Sequence, residues 1–569
     1  MSVPEGVEGA PSPQQVESWC VSLFGLAETF RTSSPPRIRL CIQCLQALFA
    51  FPLPMHVQAL AHFHLGKVLH YYSKNGDLAR MNLEQAYQYV QRLQGFEEIR
   101  LQVASLLFEI YEEQKHKEAA RRIVGDNIEL SKSFPFWHCR FLFQLTELTM
   151  CEPDVNLNAA CQYLEAGANF CEANNALYAQ SLFLLSRGML LLLDRERTIE
   201  ARPILEKVGQ LIQLVDAGRQ PADDGAEEGG DGGSARRESL NAFFLVLQVC
   251  YLLMTGTVKT AKPCLKQLQL SVQRLTALHQ EEAVPSTSTQ QSSSEQFQWL
   301  PKEFVTVLVY LVTVIHSSIA GQTEKVLKYS GKALTQIEKM RAWARKGRAT
   351  QGPSASVAPP SASQPLQTPA VDGPLGADAA AQELLLTTLQ ALLLENSAQC
   401  RLVLGQPSVA IREVNLMCNL LSQHPSLFAS HESQTHALLG MYSIVMNSPD
   451  AAERHFNTSL RTTKDTDLWS LVNLSLAIVY LQSGREQQFF ALLERIKPER
   501  LQSSSHGLVA TAHFVRGLQA FYQSRFQEAK RYLKDSLSIS NEEDIMRCSA
   551  ASLVLLGHIF LKYHNVQWH

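Results

Sequence analysis

The chain has 569 residues, 46% of them apolar, and a formal net charge of −3, which supplies a large core but no bulk positive charge for wrapping nucleic acid. Its twelve cysteines follow no regular framework, which in a chain this long suits a reducing compartment better than a disulfide scaffold. The opening MSVPEGVEGAPSPQQ lacks the basic and apolar parts of a secretory signal, and the longest apolar run, Phe304 to Ile315, is too short to cross a bilayer. These features predict a soluble intracellular protein with no membrane partner.

Residues 1–13 are rich in Pro and Gly and are expected to be disordered. Helices are predicted over about Gln14–Arg31 and Arg37–Phe51, separated by TSSPP, where Ser33 or Ser34 can cap and the prolines start the next helix. A helical hairpin follows over Val57–Leu93, turning at Lys74-Asn75-Gly76-Asp77. Further pairs are expected over about 97–131, 136–171 and 176–215. Three low-complexity inserts, 217–237, 283–296 and 347–380, are too polar or too rich in Gly, Pro and Ala to offset the entropy of ordering. They read as disordered loops within one continuous helical stack over 14–569. No stretch has strand periodicity long enough to challenge an all-helical fold.

The stretch His506–Ser540 shows what that stack is made of. Gly517 is followed by Ala529 twelve residues on and Ser536 nineteen on, with large residues (Phe514, Phe521, Phe526, Tyr532, Leu533) around them. Small residues where two helices cross, and large ones beside the crossing, make a tightly packed hairpin. The same offsets recur at Gly440/Ala452/Ser459, Ala398/Ala410/Met417 and Val249/Ala261/Leu268. They recur more loosely at Phe108/Ala120/Asn127, Val314/Val326/Ala333 and Ala477/Phe489/Ile496. Gly256, Gly321, Gly405 and Gly484 fall at the expected turns, and Ala477, Gly517 and Gly557 are spaced by 40. The signature resembles the tetratricopeptide (TPR) repeat, so the fold expected is an all-α, TPR-like superhelix, an α-solenoid.

No constellation for chemistry emerges. Cys41-x-x-Cys44 lies inside a helical pattern with no second ligand pair, so the two read as structural cysteines. Cys151, Cys161 and Cys171 scatter over different helix faces, and His62 and His64 point to different sides of theirs. Gly229-Gly230-Asp231-Gly232-Gly233 follows no strand and lacks the Lys-Ser/Thr of a phosphate loop. The reading is a non-enzyme with no cofactor, metal or small-molecule substrate. The cluster Lys339, Arg341, Arg345, Lys346, Arg348 suits a helix C-terminus. Its sharper alternative is a DNA-contact or nuclear-import surface.

In TPR proteins the first helix of each pair lines a groove. Mapped here, the groove wall is Phe243, Val246, Cys250 and Leu253; Leu308, Leu311, Ile315 and Ser318; Leu471, Leu474, Ile478 and Leu481; and Thr511, Phe514, Leu518 and Phe521. A wall this apolar is either packed against its own chain or filled by a long partner segment. A co-chaperone-type TPR would need Lys and Asn at these positions to clamp a carboxylate; a ubiquitin-ligase scaffold is the remaining alternative.

Longer strings narrow the choice. FRTSSPPRIRLCIQCLQALF (Phe30–Phe49), WHCRFLFQL (Trp137–Leu145), VKTAKPCLKQLQ (Val258–Gln269), WLPKE (Trp299–Glu303) with VLVYLVTVIHS (Val307–Ser317), and SLVLLGHIF (Ser552–Phe560) closely resemble the MAU two family of chromatid cohesion factors. These are the TPR-type subunits of the metazoan cohesin loader. The resemblance implies a nuclear, chromatin-associated adaptor whose superhelix holds the N-terminal segment of Nipped-B-like protein. Through that partner it would reach the cohesin complex and, indirectly, chromatin, promoting cohesin loading and sister chromatid cohesion. The inserts are longer than the family leads one to expect, and LKYHNVQWH stands where the family continues with further helices, as in a shortened C-terminus. Limited proteolysis is expected to cut first within 217–237 and 347–380, and early cleavage inside 440–540 would contradict a continuous stack.

Overall fold

The structure, a computed structural model, describes residues 13–33, 35–73, 75–151, 156–194, 197–217, 232–281, 300–349, 377–498, 501 and 505–567. Among these residues there are 24 α-helices and no strand. They fall into two compact units, the described residues up to 187 with 377–379 and the described residues 188–349 with those from 380 on.

The first unit contains α1 (Pro13–Thr32), α2 (Ile38–Leu48), α3 (Met55–Tyr72), α4 (Gly76–Val90), α5 (Glu97–Glu113), α6 (Lys117–Gly125), α7 (Ile128–Ser131), α8 (Pro135–Met150), α9 (Leu157–Ala173) and most of α10 (Leu177–Leu193). Hairpins α1–α2, α3–α4, α5–α6 and α8–α9 pack as the sequence leads one to expect. The second unit continues with α11 (Thr198–Ala217), α12 (Gly232–Met254), α13 (Val258–Glu281), α14 (Lys302–Ile319), α15 (Thr323–Ala349), α16 (Ala377–Val403) and α17 (Pro407–Leu421). It ends with α18 (Pro425–Val445), α19 (Pro449–Thr462), α20 (Thr466–Gln482), α21 (Glu486–Arg495), α22 (His506–Tyr522), α23 (Phe526–Glu542) and α24 (Met546–Gln567).

Several boundaries differ from expectation. Residues 217, 232–237, 347–349 and 377–380 are helical, so these parts of the predicted inserts belong to α11, α12, α15 and α16. Ala and Arg, which make up most of these residues, are good helix formers, and an adjoining helix extends into them readily. Residues 1–12, 218–231, 282–299 and 350–376 lie outside the described residues. Ser33 does not cap α2: its Oγ donates to the Phe30 carbonyl, closing the end of α1. Gly557 has open space around it, and the position twelve residues on, His569, lies outside the described residues.

Helices start and stop mostly by backbone conformation. Proline opens α8, α17, α18 and α19 at the first helical turn. Gly256, Gly321, Gly405 and Gly484 hold φ between +69° and +78°, while Lys115, Asn175, Asn447, Ser524 and Asp544 take the same left-handed turn at +54° to +62°. After each, the next residue's N–H donates to the carbonyl five positions back, as in Thr257 to Leu252, Arg485 to Tyr480 and Arg525 to Ala520. This 6→1 bond satisfies a carbonyl that the helix end leaves open and reverses the chain in a few residues. At Gly256 a side chain would also meet the His506 backbone nitrogen at 2.6 Å.

Every member of the seven small/large triplets is buried. A Cβ on Gly440 would lie 2.4 Å from the Phe456 ring, and one on Gly517 2.8 Å from Leu533. The third position adds a polar tie in two hairpins: Ser459 Oγ donates to the Ser433 carbonyl at 2.8 Å and Ser536 Oγ to the Ala510 carbonyl at 2.9 Å. The hairpin α3–α4 uses the same device one residue longer, Gly66 lying over Ala79 and Leu83. Between hairpins a second device repeats: Tyr111 OH donates to Glu84 and Tyr480 OH to Glu453, each at 3.0 Å.

Two measurements test this account. Gly440→Ala gains about 1 kcal/mol of helix propensity but loses about 1–3 kcal/mol to overpacking; Ala452→Leu has the loss without the gain. Both should lower Tm, Ala452→Leu more, and unchanged melting of Ala452→Leu would mean the crossing is not close-packed. Separately, the half-buried Glu395 carboxyl is pushed up to about 7 by desolvation, against a hydrogen bond from Gln434. The folded chain therefore holds a proton between pH 4.5 and about 7 that the unfolded chain releases. Its contribution favours the fold below that window and fades as pH rises through 7. Glu395→Gln should raise Tm relative to the parent at pH 8 and not at pH 4; an equal offset at both would contradict the shift.

Candidate functional site

Consecutive first helices touch one another, α3 with α5 and α5 with α8 in the first unit, and α12 with α14 and α18, α20, α22 and α24 in series in the second. A ligand laid along this side meets one helix after another, which makes it the natural binding side of a repeat fold.

In the first unit that side is polar. Glu109 on α5 pairs with Arg140 on α8 at 2.5 Å and lies 3.5 Å from Nε2 of the buried His70 on α3. Arg140 Nε donates to Ser105 Oγ at 2.7 Å, and Gln144 Nε2 donates to the same oxygen at 3.0 Å. Glu147 beside them is pushed up to about 7, first by desolvation and then by Glu112 and Glu109, with Arg140 acting the other way.

In the second unit it is apolar, and the thirteen aliphatic and aromatic members of the expected wall divide. Phe243, Val246, Leu253, Leu311 and Leu474 are buried, so they serve as core between helices and are not accessible wall. Leu308, Ile315, Leu471, Ile478, Leu481, Phe514, Leu518 and Phe521 are half-buried. The fold gathers them: Leu308 and Ile315 pack against a buried cluster that includes Val246 and Leu253, and Leu471, Ile478, Leu481 and Phe514 against one that includes Leu474. Phe521 is partly covered by Lys562, whose ammonium lies 5.4 Å from the ring centroid.

On α12 the expected wall is displaced around the helix. The stripe Asn241, Phe244, Gln248, Tyr251 and Thr255 lines an open groove of about 1240 Å³ between α11, α12 and α13, which His506 also lines. Buried Ser271 faces this groove with its Oγ unpartnered among the described residues. Its i, i+3, i+7 spacing is legible in the sequence, but the stripe is half polar and a search for apolar walls passes over it.

The basic cluster is also rearranged. Arg341 is tied into the fold, with Nε 2.8 Å from Glu383 and its terminal nitrogens on Thr387 and Gln390, so it joins α15 to α16. Lys339 and Arg345 remain exposed, and the side chains of Lys346 and Arg348 lie outside those described. Cys41 is buried and Cys44 half-buried. Among the described residues no three His, Cys, Asp or Glu side chains converge on a point where they could hold a metal.

Comparison with known proteins gives this architecture a family. The family model described as cohesin loading factor matches residues 19–567. A MAU2 chromatid cohesion factor homolog of Aedes aegypti is 39% identical over 549 residues, covering 96% of this chain and 79% of that protein. The homolog of Drosophila willistoni is 37% identical, covering 99% and 77%. Among solved structures, a crystal structure of Scc4 in complex with Scc2n is 11% identical and covers 98% of this chain and all of that one, at a TM-score of 0.44. That last likeness is too distant to carry an argument. The match over nearly the whole length, with relatives well above 30% identity, shows that the chain belongs to the cohesin loading factor family.

Proposed function

We propose that this chain is the non-catalytic adaptor of a cohesin-loading complex, and that first helices of its second unit hold the N-terminal segment of Nipped-B-like protein. Through that partner it reaches cohesin and, indirectly, chromatin in the nucleoplasm, where it promotes loading and sister chromatid cohesion. The observation that carries the reading is the set of half-buried apolar side chains on α14 and on the adjoining pair α20 and α22. Core residues support them from behind, and each keeps a surface that a partner can cover. Membership of a loading-factor family favours this occupant over a chaperone tail or a ligase subunit.

Full burial of a large apolar side chain is worth about 1.5–3 kcal/mol, and about 1.4 kcal/mol is a factor of ten in affinity. Leu518→Asp should therefore weaken capture of the Nipped-B-like segment roughly ten-fold or more, with circular dichroism and Tm of the isolated chain nearly unchanged. Unfolding of the C-terminal hairpins would make Leu518 core, and unimpaired capture by a stable variant would defeat the proposal.

A further inference from the structure

The second helices of two successive hairpins turn rows of lysine to solvent. On α15, Lys325, Lys328, Lys332 and Lys339 are all exposed. At 100° per residue they fall within an arc of about 60°. The buried residues of the same helix, Val326, Ser330, Ala333 and Ile337, lie on its other side. Trp343 sits on the lysine arc, about five turns from Lys325, and is 76% exposed. On α13 the spacing K-x2-K-x3-K repeats with Lys259, Lys262 and Lys266, all exposed. The two rows lie on helices that both pack against α14, and the His316 imidazole at its end is held below its ordinary value first by burial and then by Lys262 and Lys325, against a hydrogen bond at Val258.

A merely solvated helix face usually mixes signs, because Glu and Lys one turn apart attract while like charges repel. Here none of the seven lysines is salt-bridged to a carboxylate among the described residues. Lys332 lies over the Tyr329 ring at 5.6 Å, and the Glu543 carboxylate meets the backbone of Lys259, not its ammonium. Of the acids exposed on α15, Glu338 falls well outside the arc, and Glu324, one turn before Lys328 and about 40° beyond the arc's edge, makes no ion pair with it among the described residues.

We propose that this α13–α15 face binds the phosphate backbone of double-stranded DNA. From Lys325 to Trp343 the helix rises about 27 Å at 1.5 Å per residue, close to the ~34 Å turn of a duplex. The duplex offers one charge per ~1.7 Å along that line. Lysine, a hydrated point charge without Arg's planar fork, suits phosphate contacts that read no sequence. A single-strand site would add a series of stacking aromatics, and the row holds only Trp343. This face belongs to second helices and stands apart from the partner site proposed above.

The test is fluorescence anisotropy of the full chain with a labelled duplex of about three helical turns, across a salt series. Replacing the seven lysines by Gln should weaken binding roughly ten-fold or more at low salt and flatten the log–log salt slope by about 0.9 for each phosphate no longer neutralised. Replacing Lys115, Lys464 and Lys534 by Gln should change neither quantity. The triple variant Lys325→Gln, Lys328→Gln, Lys332→Gln, with parental Tm as a condition, keeps the test open if the larger set destabilises the chain. No binding by the parent, an unchanged slope in the lysine variants, or an equal loss in the control set would overturn the proposal. So would tighter binding of poly-glutamate than of the duplex, which would point to an acidic protein segment.

Discussion

The close approach of paired helices at a small residue is the constraint on which the rest of the structure depends. Where Gly440 faces Phe456, and Gly517 faces Leu533, there is no room for even one added carbon. That absence lets a large side chain fill the crossing, where interiors reach crystal-like packing density. It also fixes the register of the two helices, because sliding by one residue would bring bulk against bulk. Ser459 and Ser536 are admitted to the same seam because each finds a backbone carbonyl on the facing helix. Once the seams are set, the side chains pointing away from each hairpin are set too, and they become the material for stacking and binding.

Stacking then relies on features that repeat. Left-handed turn residues end the first helices in one manner whether the residue is Gly256 or Ser524. Tyr–Glu ties at 111/84 and 480/453 connect one hairpin to the next. Because these features are shared, the first helices present their faces in series. What they carry differs between the units: a charged network around Glu109 and Arg140 in one, aliphatic and aromatic surface on α14, α20 and α22 in the other. Second helices α13 and α15 add lysine rows of opposite chemistry to that apolar surface. An adaptor benefits from such separation, since an apolar segment and a polyanion need not compete for the same residues. The chain's net charge of −3 conceals this, because it sums faces of unlike charge.

The sequence by itself determined the all-helical class, the hairpin pairing and the crossing points. Seven triplets found by spacing alone are all buried, and four glycines placed at turns all have the left-handed backbone. Local rules reach this far because a hairpin's seam, turn and period all lie within about 35 residues, the length of one repeat. Sequence strings also pointed to the family that the wider comparison shows.

Only the tertiary structure decided which apolar side chains are wall and which are core. A helix in a stack has neighbours on more than one side, and periodicity identifies an apolar face without saying which neighbour covers it. Phe243 and Leu308 both lie six residues before the crossing position, yet the first is enclosed and the second is not. Arg341 likewise looked like one cation among five until α16, more than thirty residues on, supplied Glu383, Thr387 and Gln390 around it. Side-chain accessibility is a property of the assembled neighbours, and those come from parts of the chain that no local pattern links.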